Sequence, residues 1–199
     1  MRLLAFLLLT SSLLPAADTL SIFGRHWTVP APSDWKIEQQ GGTQVLRLVT
    51  PRNPLPGPRR PIQFALADTP DLEKVTVEAD MRPLGHSLII VYAYRDPAHF
   101  DYAHLSIDTA TKEPHHNGVF HVYGGERVRI SDTDGPAAFS SSGWHHVQLV
   151  WEGKSGEVRV SVDGQSIPAL HAVDLSLRSG RVGIGSFDET GDFKNVKIQ

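Results

Sequence analysis

The feature that most constrains this chain is a two-residue hydrophobic rhythm. From residue 18 onward, apolar and polar residues alternate in short runs broken by Gly, Pro and Asp, and helix-type spacing of apolar residues is hard to find. The rhythm predicts strands at 20–23, 35–38, 45–49, 62–66, 74–81, 86–94, 101–107, 119–123, 127–131, 144–152, 157–162, 181–186 and 192–198. That number exceeds what one open sheet carries without splitting into two layers. The expected fold is therefore all-β, a two-sheet antiparallel sandwich occupying 18–199 as one domain.

Turn chemistry supports antiparallel pairing. Gly153-Lys154-Ser155-Gly156 separates two alternating runs, and Asp163-Gly164 is a dipeptide favoured in type I′ hairpins. The stretch 50–61 holds five Pro in twelve residues together with Arg52, Arg59 and Arg60. Proline removes ladder donors, so this stretch is expected to be an exposed connection.

Arg2, the apolar run Leu3–Leu9 and the small residues Ala16 and Ala17 have the pattern of a secretory signal peptide over 1–17. The expected destination is secreted or periplasmic. With no Cys, neither disulfides nor a thiol nucleophile is available. A net charge of −3 supplies no basic field for nucleic acid. No second apolar run offers a membrane anchor after cleavage.

Candidate chemistry concentrates on 101–107. Alternation places Tyr102, His104 and Ser106 on one face and Ala103, Leu105 and Ile107 on the core face. An aromatic ring stacks on the apolar face of a pyranose, and imidazole bonds its hydroxyls. Tyr94, Arg82, His116, Asn117 and Arg127 are expected to close around the same ligand. His104 or Glu78 is the candidate general acid/base, with Arg82 or Arg127 stabilising negative charge. His104 with His115, His116 or His121 is a conceivable zinc-type set, although no H-E-x-x-H spacing enforces it. No G-x-S-x-G elbow supports a serine nucleophile, and Ser140-Ser141-Ser142 reads as a loop. Trp144, Trp151 and Phe193 read as core, with the odd separation of the two Trp placing them on opposite faces.

Three motifs carry a resemblance. Gly143-Trp144-His145-His146-Val147 followed by Val160-Ser161-Val162-Asp163-Gly164 resembles the W-H-x-V…V-D-G hairpin of laminin G-like and pentraxin-like domains. Gly180-Arg181-Val182-Gly183-Ile184-Gly185-Ser186-Phe187-Asp188 with Phe193-Lys194-Asn195-Val196 resembles the close of concanavalin A-like bacterial domains, including the 3-keto-disaccharide hydrolase domain family. Tyr102-Ala103-His104-Leu105, His116-Asn117-Gly118 and Arg127 look like a pattern of small secreted members of that superfamily. The resemblance covers 75–199 well and 18–70 only by strand rhythm.

It implies a concanavalin A-like jelly roll with one concave sheet, and a protein that binds oligo- or polysaccharide there. The alternatives are a glycoside-processing enzyme resembling the 3-keto-disaccharide hydrolases and a protein-binding adhesion module contacting partners through 50–61. Glu78-Ala79-Asp80 matches the start of the E-x-D-x-x-E strand of glycoside hydrolase family 16, but Pro83 stands where the third carboxylate belongs. No cofactor is firmly implied. A structural calcium, common in fold relatives, would draw on Asp188, Glu189, Asp192 and Asn195; a polar turn without an ion is the alternative.

Overall fold

The alternation becomes fifteen strands in two antiparallel sheets, seen in a computed structural model that describes residues 18–52 and 59–199. The expected signal peptide, 1–17, and the middle of the Pro-rich stretch, 53–58, lie outside the described residues. In chain order the strands are β1 (Thr19–Ile22), β2 (Arg25–Thr28), β3 (Trp35–Gln40), β4 (Thr43–Leu48), β5 (Gln63–Ala67), β6 (Lys74–Pro83), β7 (Ser87–Asp96) and β8 (His99–Ser106). They continue as β9 (Gly118–Tyr123), β10 (Glu126–Arg129), β11 (His145–Glu152), β12 (Glu157–Val162), β13 (Gln165–Val173), β14 (Arg181–Ser186) and β15 (Gly191–Ile198). One sheet has eight strands in the order β1-β2-β5-β14-β7-β8-β9-β10, and the other seven in the order β13-β12-β11-β6-β15-β4-β3. No helix among the described residues is long and apolar enough to cross a membrane.

Every predicted strand exists, and two more were missed. Strand β2 pairs with β1 through a tight turn at Phe23-Gly24, both at positive φ, and buries Trp27 with its indole N–H donating to the Ile22 carbonyl at 3.0 Å. Strand β13 contains Pro168, which argues against a strand from sequence. The ladder tolerates it because β13 lies at a sheet edge and its pairing with β12 slips between Arg159 and Ser161. Asp163 and Gly164 adopt φ of 51° and 80°, the conformation a type I′ turn requires.

The eight-stranded sheet is apolar on both faces. Its inner face joins the main core between the sheets, with Leu88, Ile90, Tyr92, Ala103, Leu105 and Val119. Its outer face carries a second layer of Phe64, Ile89, Val91, Phe100, Tyr102, Phe120, Val122 and Phe187. Gly183 and Gly185 let β5 lie close against β14: a Cβ on Gly185 would stand 2.3 Å from the Gln63 carbonyl oxygen. Because the obstacle is backbone, Gly185→Ala is expected to cost about 1–3 kcal/mol of stability, read as a lowered urea midpoint with unchanged slope.

Candidate functional site

A recess of about 370 Å³ opens on the outer face of the eight-stranded sheet, above the second apolar layer. Its floor and walls are His104 from β8, Phe120 from β9, Arg127 from β10, Phe187 after β14, and His116 from the loop between β8 and β9. Arg59 and Asp188 form its rim, joined by an ion pair of 3.0 Å. Cross-strand register builds the group: Tyr102 faces Phe120, and Arg127 faces Val122.

Asn117 fixes the loop that carries His116. Its side-chain oxygen accepts from the backbone N–H groups of Ser106 at 2.7 Å and Ala138 at 3.1 Å, while its amide donates to the Asp108 carbonyl at 2.8 Å. Asp108 gathers Lys112 and His116 at 2.8 Å each and the Ser106 hydroxyl at 3.0 Å. Burial opposes ionisation of Asp108, but these bonds outweigh it and hold the carboxyl well below the usual range.

His104 is buried, and its Nδ1–H donates to the His116 carbonyl at 2.6 Å, which assigns the tautomer. Its Nε2 makes no hydrogen bond among the described residues. Burial above all, then the neighbouring His116, pushes the imidazole pKa down to about 3; the carbonyl bond opposes, and Arg127 and Arg59 add to the lowering. The ring is therefore a neutral acceptor at physiological pH. Arg127 lies about 5 Å over the rings of Phe187 and Phe120, 5.0 and 5.1 Å to their centroids, and donates to the Tyr102 hydroxyl at 3.3 Å. It has no carboxylate partner among the described residues.

The structure brings His104, His116 and Arg127 together and separates the rest of the expected set. Tyr102 does turn away from the main core, but its ring is fully buried and stacks on Phe120 at 5.1 Å with planes 11° apart. It has no free face for a sugar; only its hydroxyl reaches Arg127. Burial holds that phenol un-ionised, up to about 12. Asn117 is buried, with its amide committed to backbone. Tyr94 lines a separate apolar groove of about 320 Å³ with Val29, Pro61, Ile62, Phe64 and Phe100.

Arg82 and Glu78 lie on β6 in the other sheet. Arg82 pairs with buried Asp192 and stacks on Trp144 at 4.7 Å, while Glu78 accepts from Gln148 at 3.2 Å. The two alternative acid/base candidates, His104 and Glu78, therefore lie on different sheets and share no site. The expected calcium ligands also diverge: Asp192 is held by Arg47 and Arg82, Asp188 by Arg59, Glu189 by the His86 backbone N–H at 2.7 Å, and Asn195 by Asp80 at 2.7 Å. His121 points to the opposite side of the sheet from His104, so the proposed zinc-type grouping of the two does not form. Trp151 and Phe193 are core, whereas Trp144 is half-buried outside it. The sequence reading missed Arg59, Phe120, Phe187 and Asp188. Phe187 and Asp188 were visible in the G-x-V-G-I-G-x-F-D motif, and Arg59 in the basic Pro-rich stretch.

One arrangement mimics a hydrolytic triad. His145 Nδ1 lies 2.6 Å from Asp163, and its Nε2 lies 3.3 Å from the Ser141 hydroxyl. That Nε2 is closer, at 3.1 Å, to the Ser141 carbonyl, which only accepts. Ser141 thus meets the imidazole through its main chain as well as its hydroxyl. This is a clamp joining the β11 entrance to the β12–β13 turn.

No protein-family model matches the chain, and no curated protein matches it in sequence. Solved structures share its fold. The carbohydrate-binding module CBM66 from Bacillus subtilis superposes with a TM-score of 0.61 at 14% identity, over 87% of this chain and 94% of that one. Xylan β-1,4-xylosidase from Bacillus halodurans gives 0.58 at 12%, and the GH43 protein BlXynB from Bacillus licheniformis 0.56 at 15%. This chain covers 92% of its own length in both but only 38% and 37% of theirs. The chain has the two-sheet antiparallel jelly-roll fold that these structures share.

The folded chain resists protonating His104 until about pH 3, while the unfolded chain takes up that proton near 6.5. The stability this residue contributes is complete above pH 6.5 and drains away as pH falls toward 3. His104→Asn is therefore expected to lose stability less steeply than the native protein across that window, measured by urea unfolding; parallel curves would refute the assignment.

Proposed function

We propose that this protein is a carbohydrate-binding domain whose ligand enters the recess between His104 and Arg127. The observation that carries the reading is the pairing of an unused acceptor with a charged donor over one recess: a neutral imidazole with a bare Nε2, and a guanidinium that bonds the Tyr102 hydroxyl but has no carboxylate partner among the described residues. Adjacent hydroxyls of a sugar offer the matching donor and acceptor. The fold shared with CBM66 and with a xylan β-1,4-xylosidase supports a sugar-related role without specifying the glycan. Phe120 and Phe187 supply apolar wall, and recognition here is by hydrogen bonds to one edge of the ligand.

Catalysis is the weaker reading. A base whose conjugate acid has a pKa of about 3 holds a proton poorly at neutral pH, and Glu78 is not beside it. A protein-binding role is favoured only by the apolar groove at Tyr94 and Phe100, which borders Arg60 and Pro61. The expected secretion to an extracellular or periplasmic setting suits glycan capture.

Isothermal titration against a panel of neutral and acidic oligosaccharides is expected to reveal a binder. Arg127→Ala and His104→Asn should each weaken it roughly tenfold or more, the worth of a hydrogen bond to a charged or buried group. Tyr94→Ala should leave it unchanged. An empty panel, or undiminished affinity in both site variants, would reject the proposal.

A further inference from the structure

Asp101 on β8 and His121 on β9 are direct cross-strand partners. Both point away from the recess, toward the space between the sheets, as do Ala103 and Val119 beside them. Asp174, just beyond the end of β13, arrives from the opposite sheet. His121 Nδ1 lies 2.6 Å from an Asp101 oxygen and 3.0 Å from an Asp174 oxygen, and all three atoms fall within 4.8 Å of one another.

One ring nitrogen thus faces two carboxylates and has one proton to give them. No Lys or Arg among the described residues pairs with either acid; Asp174 receives only the Ser176 N–H at 2.8 Å and hydroxyl at 2.6 Å on its other oxygen. Asp101 is 1% exposed. Two carboxylates therefore share one imidazole in this corner, with no lysine or arginine beside them among the described residues.

We propose that Asp101, His121 and Asp174 form a binding site for one divalent transition-metal ion of the zinc class. The ion displaces the Nδ1 proton to solvent, takes the Nδ1 lone pair of the neutral imidazole, whose remaining proton is on Nε2, and accepts one oxygen from each carboxylate. An imidazole in the set selects zinc-like ions over calcium or magnesium. Zinc binds such ligands at about 2.0–2.2 Å, so the ligand atoms spread from their present contacts of 2.6 and 3.0 Å to admit the ion. Asp174 is only partly buried, so the ion can reach the site from that side. Because the ligands come from both sheets, the ion fastens one sheet to the other at this end of the sandwich.

The test uses the purified protein stripped with EDTA, titrated with zinc against a chromogenic chelator and with cobalt by visible absorption. The expected result is one-to-one uptake, cobalt d–d bands of a nitrogen and oxygen site, and a raised thermal midpoint with zinc, since the ion binds only the folded chain. Asp174→Asn and His121→Gln should weaken uptake at least about tenfold and remove the thermal shift, while His26→Ala should change neither. Asp174 is the more exposed ligand, so its variant reports even where His121→Gln fails to fold. Lack of one-to-one uptake, or uptake undiminished in Asp174→Asn, would overturn the site and place bound zinc on surface histidines.

Discussion

Strand β8 is buried on both faces, and the rest of the structure follows from that constraint. Every residue from Phe100 to Ser106 is sheltered, with Ala103 and Leu105 in the main core and Phe100 and Tyr102 in the outer aromatic layer. Because the strand period is two, a slip of one residue would exchange the two layers, so the register cannot drift. The direction of His104 is thereby fixed by the packing of Leu105. Arg127 is then raised over Phe120 and Phe187 by a platform whose lower course is the Tyr102 ring. The recess rests on a second core.

The local part of this arrangement was legible in the sequence. Alternation gave thirteen strands and the two faces of β8, and Asp163-Gly164 marked its hairpin. Strand β13 was hidden because Pro168 is a sound objection to a central strand and the chain does not declare which strands are edges. The outer layer was hidden for a related reason. An alternating strand is read as half-wet, so the alternation puts Tyr102 toward solvent; the layer that buries it adds Phe64, Phe120 and Phe187 from three other segments to Phe100 of the same strand. Sheet membership is equally nonlocal. Arg82 and Glu78 precede β7 closely in sequence, yet β6 lies between β11 and β15 in the other sheet, where Asp192 meets Arg82 across the strands.

Buried polar groups in this fold are satisfied in contrasting ways. Asp192 has no exposed surface and is spanned by Arg47 and Arg82, so its carboxyl stays ionised despite burial. Asn117 is neutral and uses backbone groups alone. His145 is held at both nitrogens, which converts a triad-like geometry into a structural clamp. Asp101 differs from all three, since its one partner is shared with a second carboxylate. That sharing of one imidazole, inside an otherwise well-satisfied interior, is what distinguishes the corner at His121 from an ordinary buried ion pair.

His104 belongs to the neutral class, and its neutrality bears on what the recess does. A buried imidazole beside two guanidinium groups and a second histidine is pushed toward its uncharged form by each of them, so the site resists taking up a proton. Proton transfer favours a group whose affinity is matched to the medium. Hydrogen bonding to a sugar hydroxyl needs only a fixed lone pair, and the His116 carbonyl fixes it by holding Nδ1–H. The same burial that weakens His104 as a base makes its acceptor atom directional, because desolvated polar groups gain most from a partner. The electrostatics of this one ring therefore align the recess with recognition of a hydroxyl-rich ligand and away from chemistry on it.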